Sequence, residues 1–87
     1  MEREVVVMNK QGLHARPATA FVQEAGKYKG DVTIEKEGKS ANAKSILGIL
    51  SLGIANGNTI KIKAEGEGAE EVVEALVKLV ENKFGEE

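Results

Sequence analysis

The chain has 87 residues, of which 41% are hydrophobic and 30% are charged, and its formal net charge is -2. An inventory of this size fills one hydrophobic core, so we expect a single domain over residues 1–87. The absence of cysteine excludes a disulfide framework and a thiolate metal cage, and the negative charge with few aromatic residues disfavours nucleic acid as a direct partner.

The first part of the chain predicts a strand followed by a helix. A run rich in β-branched residues at 4–8 predicts the strand, and the turn formers of 9–12 end it. Pro17 fits near a helix start, where its missing N–H is not needed. Four apolar residues then recur at helical spacing and predict the buried stripe of that helix: Ala18, Phe21, Val22 and Ala25.

The middle of the chain predicts a hairpin and then a short helix. Apolar and polar residues alternate over 32–35 and over 40–44, and Glu37-Gly38 supplies the turn between them. Ser45 is a favourable N-cap for the apolar segment 46–50. We therefore expect a brief helix directly after the hairpin.

The last part predicts a strand and a longer helix. Residues 59–65 alternate with period two, which indicates a strand with one face in water. A helical stripe follows, and it consists of Ala69, Val72, Val73, Leu76, Leu79 and Val80. The resulting order, βαββαβα, predicts an α+β fold in which the helices cover one face of an antiparallel sheet.

The segment 12–18 places His14, the only histidine, directly before the first helix. Backbone N–H groups at a helix start lack helical partners and the helix dipole favours anions there, so a phosphate on His14 finds donors in place. The same dipole favours the neutral, nucleophilic ring, and Arg16 adds a positive charge. Gly12 permits a close approach of the backbone to a partner or phosphate, and Pro17 fixes the first helical turn. On these residues alone, a structural histidine in a turn remains the alternative.

The complete run Gly-Leu-His-Ala-Arg-Pro-Ala at 12–18 resembles the active-site signature of the HPr family. These are the histidine-containing phosphocarriers of the bacterial phosphoenolpyruvate-dependent sugar phosphotransferase system. The segment 42–53 looks like the regulatory-serine segment of the family's Gram-positive type. The resemblance covers essentially the whole chain, and it implies an open-faced β-sandwich in which three helices cover one side of a four-stranded antiparallel sheet.

The resemblance implies a covalent carrier rather than an enzyme, with no cofactor and no metal. In the family, enzyme I is charged by phosphoenolpyruvate and phosphorylates the histidine on Nδ1, the position that maps to His14. The phosphoryl group then moves to the A components of the enzyme II sugar permeases. The family's active-site arginine maps to Arg16, whose guanidinium is expected to neutralise phosphate charge. Gly12 and Pro17 are assigned the geometry of the helix start and no chemistry.

The resemblance also implies regulation at Ser45, the position that the ATP-dependent HPr kinase/phosphorylase modifies in Gram-positive relatives. A phosphoserine adds roughly -1.5 to -2 charges, which a helix N-cap tolerates. The implied consequences are slower phosphorylation by enzyme I and, in carbon catabolite repression, binding to a catabolite-control transcription regulator. From the pattern alone, Ser45 is an ordinary N-cap.

Part of the short helix is expected to dock partners through Ile46, Leu47 and Leu50, although the same three residues are also consistent with plain core. Leu47 and Leu50 stand where relatives expose methionines. Leucine keeps the patch apolar but makes it stiffer, so the range of partners is the property most affected.

Three other functions fit the sequence less well. The sequence lacks the residues that an autonomous enzyme would use, because it has no P-loop, no Cys-His pair and no second histidine. A purely regulatory module, like the relatives that lack the active histidine, is disfavoured by His14. A carrier of a nitrogen-linked or dihydroxyacetone-kinase relay is disfavoured by the segment around Ser45.

Location and assembly follow from composition. No apolar run approaches the roughly 18 residues that a membrane helix needs, and the acidic start at 1–4 lacks the layout of a signal peptide. With no cysteine present, we expect a cytoplasmic protein without membrane insertion. A monomer is the default expectation, because a carrier presents one site to several partners in turn.

Overall fold

The computed structural model describes residues 1–85. Its elements follow the predicted order of strands and helices, and a short C-terminal turn is added at Lys83–Gly85. The elements are β1 (Glu2–Val6), α1 (Ala15–Ala25), β2 (Val32–Lys36), β3 (Lys39–Asn42), α2 (Ile46–Ser51), β4 (Thr59–Ala64) and α3 (Ala69–Glu81).

The four strands form one antiparallel sheet in the order β1-β4-β2-β3. Strand β4 is one of the two central strands, and its Ile62 lies opposite Arg3 of β1 on one side and Ile34 of β2 on the other. Helix α3 packs against β1 and β4, α2 packs against β3, and α1 packs against both other helices. The predicted fold, an open-faced sandwich of four strands and three helices, is confirmed.

The two faces of the sheet follow from the alternation of side chains. On the helical face, Ile34, Ile60 and Ile62 are fully buried. On the open face, Lys63 forms an ion pair with Glu35 at 3.1 Å, across neighbouring strands. The hydrogen bond from Lys63 to Glu35, aided by the charge of that carboxylate, raises the pKa of Lys63 above its usual range. The open face is therefore a solvated surface of paired charges.

The helices bury the stripes that the sequence predicts. In α1, Ala18, Phe21 and Ala25 are buried, and Val22 is half-buried against the core. In α3 only Leu79 of the predicted stripe is half-buried, and the rest is buried. No helix within residues 1–85 is both long enough and apolar enough to span a membrane.

The first strand is displaced from its predicted position at 4–8 toward the N-terminus. Its partner β4 begins at Thr59, which lies opposite Val6, so the ladder ends there. Val7 instead bonds to the turn before β4: its N–H donates to Asn58 O at 2.9 Å, and its carbonyl accepts from Gly57 N–H at 2.7 Å. Hydrophobicity fixes which residues are buried, whereas the length of the partner strand fixes where β1 stops.

Candidate functional site

His14 occupies the N-cap of α1, with extended backbone angles φ -81° and ψ -168°. Its carbonyl accepts the first helical bond, from Ala18 N–H at 3.0 Å. The amides of Ala15 and Arg16 precede that bond and so have no acceptor within the helix, and Pro17 has no amide hydrogen. The helix start thus offers two backbone donors beside the half-buried imidazole, and the exposed Arg16 side chain begins in the same turn.

The loop before His14 is built on the segment that follows α2. Leu13 is buried and its N–H donates to Ile54 O at 3.0 Å. Gly12 has a φ of +66°, and a Cβ at this position would lie 2.2 Å from Ile54 O and 2.7 Å from Ala55 Cα. The close backbone approach that Gly12 permits is therefore made to this chain itself. Because Gly12 has no Cβ, the loop lies directly against the backbone of Ile54 and Ala55, and this contact positions His14 at the helix start.

Replacement of Gly12 by alanine is expected to destabilise the fold by about 3 kcal/mol, because a left-handed backbone and a backbone clash act together. Gly53 is the matched control, since its φ is +61° and a Cβ added there would meet nothing within 4 Å. Gly53→Ala isolates the backbone cost of about 1 kcal/mol. Urea unfolding of both variants measures the difference, and equal losses would contradict the role of the contact with Ile54.

Two asparagine side chains fasten the same loops. Asn56 Nδ2 donates to Met8 O at 2.9 Å and to Asn9 O at 3.1 Å, which ties the loop before His14 to the turn before β4. Asn58 Oδ1 accepts from Ala55 N–H at 2.7 Å within that turn. The Asn-Gly-Asn motif signals the turn in the sequence. It gives no indication that Asn56 supports the histidine loop.

Helix α2 is held at both ends by side chains. Ser45 is its N-cap, as the sequence predicts, and Ser45 Oγ accepts from Gly48 N–H at 3.0 Å. At the other end, Lys36 Nζ donates to the carbonyl of the C-cap residue Leu52 at 3.2 Å and to that of Gly53, just beyond the helix, at 2.9 Å. Sequence reasoning missed Lys36, because a lysine at the end of a strand carries no signal of a distant helix terminus.

The apolar side chains of α2 divide into one that anchors and three that face outward. Ile49 is fully buried and fixes the helix on the core. Leu47 is 80% exposed, and Ile46 and Leu50 are 37% and 38% exposed. These three residues, the α2 patch, lie on a helix that packs against α1. The structure thus places an apolar surface beside the helix that begins at His14.

The arrangement as a whole brings the two sequence motifs together. The segment 53–58 follows α2 and bonds to the loop that precedes His14. The motif at 12–18 and the motif at 42–53 are therefore connected through this segment. A helix start with backbone donors and an arginine in its first turn is suited to hold a phosphate. An adjoining apolar patch is suited to dock a protein that delivers or receives it.

Comparisons with known proteins identify the family. Residues 1–82 match the family described as the PTS HPr component phosphorylation site. The chain is 48% identical to the HPr-like protein Crh of Halalkalibacterium halodurans, over 93% of this chain and 96% of that protein. It is 44% identical to the phosphocarrier protein HPr of Vibrio cholerae, over 92% of this chain and 94% of that one.

Solved structures give the same result. The crystal structure of HPr-C-His from Thermoanaerobacter tengcongensis is 53% identical, covers 100% of this chain and 98% of its own, and superposes with a TM-score of 0.96. A crystal structure of an HPr dimer from the same organism is 54% identical, covers 94% of each chain and has a TM-score of 0.79.

An open-faced sandwich of this size, with a histidine at the start of its first helix, agrees with the family described as the PTS HPr component phosphorylation site. The match over 1–82 and the relatives of 44% identity or more make the assignment specific. The chain belongs to the HPr family.

Proposed function

We propose that this chain accepts a phosphoryl group from enzyme I on His14 and passes it to the A components of sugar permeases. The observation that carries the proposal is the position of His14 at the N-cap of α1, half-buried and beside the amides of Ala15 and Arg16. Incubation with enzyme I and phosphoenolpyruvate, followed by an A component, tests the proposal. The phosphate is expected first on His14 and then on the A component, whereas a chain that stays unmodified contradicts it.

The transfer exchanges one bond to phosphorus for another. The lone pair of His14 Nδ1 attacks the phosphorus carried by enzyme I, the N–P bond forms, and the bond between phosphorus and enzyme I breaks. For this attack Nδ1 is unprotonated, and the ring hydrogen sits on Nε2. The amides of Ala15 and Arg16 and the guanidinium of Arg16 then balance the charge of the bound phosphate. The same steps run in reverse order toward the A component.

Replacement of Arg16 by alanine is expected to slow phosphorylation of His14 about tenfold, because about 1.4 kcal/mol of charge stabilisation is lost in the transition state. The side chain is exposed, so the fold is expected to be retained. Quench-flow transfer from phosphorylated enzyme I measures the rate. Arg16→Lys keeps the charge and is expected to recover most of it, and an alanine variant as fast as the parent would show that the charge is incidental.

Ser45 is proposed as the regulatory site. Its Oγ lies at the N-cap of α2, directly before Ile46 and Leu47 of the α2 patch, so a phosphate there changes the docking surface while the helix start tolerates its charge. The proposed modifying enzyme is the HPr kinase/phosphorylase. The modified chain is proposed to bind a catabolite-control transcription regulator and to be a poorer substrate of enzyme I.

A second candidate is a regulatory protein without a transport role. The 48% identity to a Crh protein favours it, because that relative is named as HPr-like rather than as a phosphocarrier. In that case Ser45 is the working site, and His14 receives no phosphate from enzyme I. The presence of His14 at the helix start favours the carrier, and the phosphorylation assay separates the two.

We also propose a cytoplasmic monomer made of one domain. The exposed α2 patch and the exposed Arg16 suit a surface that is presented to several proteins in turn. A solved HPr of Thermoanaerobacter tengcongensis is a dimer, which is the alternative to this proposal. Light scattering after size exclusion is expected to give the mass of one chain.

A further inference from the structure

Asn9 is a fully buried polar residue in the loop that leads to His14. Its side-chain Nδ2 donates to the carbonyl of Lys83 at 2.9 Å, across 74 positions of the sequence. A fully buried amide that bonds a distant backbone carbonyl fixes two segments relative to each other, because losing that acceptor leaves the buried N–H group unsatisfied. Asn9 thus joins the start of the chain to its end.

The C-terminal turn that Asn9 holds has an unusual backbone. Lys83, Phe84 and Gly85 all have positive φ angles, of 55°, 55° and 79°. Left-handed angles at two successive residues with side chains are strained and persist only where the surroundings impose them. Two contacts do so here: the bond from Asn9, and the ring of Phe84 against Phe21, with centroids 6.4 Å apart.

Both contacts of the turn reach the flanks of His14. The carbonyl of Asn9 accepts from Gly12 N–H at 3.0 Å, which closes the loop immediately before the histidine. Phe21 is buried in α1, the helix whose N-cap position His14 occupies. The turn therefore bridges the loop that precedes the histidine and the helix that follows it.

We propose that residues 83–85 form a clasp, and that Asn9 is a positioning residue through which the clasp fixes the loop before His14 in its transfer geometry. The clasp itself follows from the contacts, and only its kinetic consequence rests on the proposed function of His14. Neither Asn9 nor Phe84 needs to touch the phosphoryl group. They act by keeping Gly12 and Leu13 on the supporting backbone of Ile54.

Hydrogen exchange on Asn9→Asp tests the clasp. The substitution keeps the shape of the side chain, but the carboxylate offers no N–H to Lys83 O. The amides of Gly12 and Leu13 are expected to exchange at least tenfold faster at neutral pH. The order of exchange rates among the amides of β4 is expected to stay the same. Phe84→Ala is the second variant, and it replaces Asn9→Asp if that variant folds poorly. It is expected to accelerate the exchange of the same two amides.

Tyr28→Phe is the matched control. The Tyr28 hydroxyl donates to Glu65 O at 2.5 Å, and the two residues lie just after α1 and just after β4. Its loss removes a bond of the same kind, from a side chain to a distant carbonyl, and is expected to leave Gly12 and Leu13 unchanged. Unchanged exchange in Asn9→Asp, or equal acceleration in the control, would overturn the clasp.

The kinetic arm measures transfer from phosphorylated enzyme I. Asn9→Asp is expected to lower the maximal rate at least threefold with little change in the half-saturating concentration, because the loop is displaced and the α2 patch is not. A variant with faster exchange but the parent's maximal rate would overturn the positioning role. A parent chain that takes no phosphate would instead refute the proposed function, and the exchange result would still decide the clasp.

Discussion

A His14→Ala variant is expected to accept no phosphoryl group from enzyme I and phosphoenolpyruvate, while the parent chain accepts one. His14 is the only histidine, so no other imidazole can form the N–P bond. The fold is expected to survive, because the His14 side chain does not cap α1 and alanine keeps the carbonyl that bonds Ala18 N–H. Intact-mass measurement under neutral conditions reads the added group directly.

The control for this variant separates chemistry from structure. His14→Gln replaces the ring by an amide that can hydrogen-bond but is not a comparable nucleophile, and it is expected to remain unmodified as well. Thermal unfolding of both variants is expected to lie close to the parent, because the half-buried ring lies outside the hydrophobic core and makes no capping bond. A phosphate that still adds to a folded His14→Ala chain would move the site elsewhere.

A Ser45→Asp variant is expected to be phosphorylated on His14 about a hundredfold more slowly than the parent. Aspartate is as good an N-cap as serine, so α2 is expected to form normally. Its charge lies beside Ile46 and Leu47, and docking an apolar patch next to a hydrated carboxylate costs desolvation. A hundredfold loss corresponds to about 2.7 kcal/mol. The initial rate of His14 phosphorylation, at a chain concentration that does not saturate enzyme I, measures this loss.

Ser45→Asn is the matched variant for that experiment. Asparagine has the shape of aspartate and keeps a capping oxygen, but it carries no charge. The Ser45→Asn variant is therefore expected to be phosphorylated on His14 at nearly the parent rate. If both variants were equally slow, the serine would act through its geometry rather than through charge. If neither were slow, Ser45 would be a helix cap and no more.

Most of the fold could be predicted because each element carries its own pattern. The period of two in β4 and the helical stripe of α3 state which side of each element is buried, and the structure buries those residues. The cap at Ser45 could be predicted because capping depends on residues three positions apart. The bounds of β1 could not, because they depend on where β4 begins, far along the chain.

The supports of the site could not be predicted for the same reason. Gly12 is needed because Ile54 and Ala55 lie beneath it, and nothing near Gly12 in the sequence reports that contact. Lys36 reaches the end of α2, and Asn9 reaches Lys83, through long-range bonds that local patterns do not encode. The motif at 12–18 indicates the chemistry of the site, whereas its rigidity comes from residues far away in the chain.

The central claim is that His14 carries the phosphate on Nδ1, at the start of α1. Phosphorus-coupled NMR of the chain phosphorylated by enzyme I and phosphoenolpyruvate tests it most directly. We expect one acid-labile phosphate, with its phosphorus coupled to the ring of His14 through Nδ1. An acid-stable phosphate, or coupling to Ser45 or to the other ring nitrogen, would contradict it.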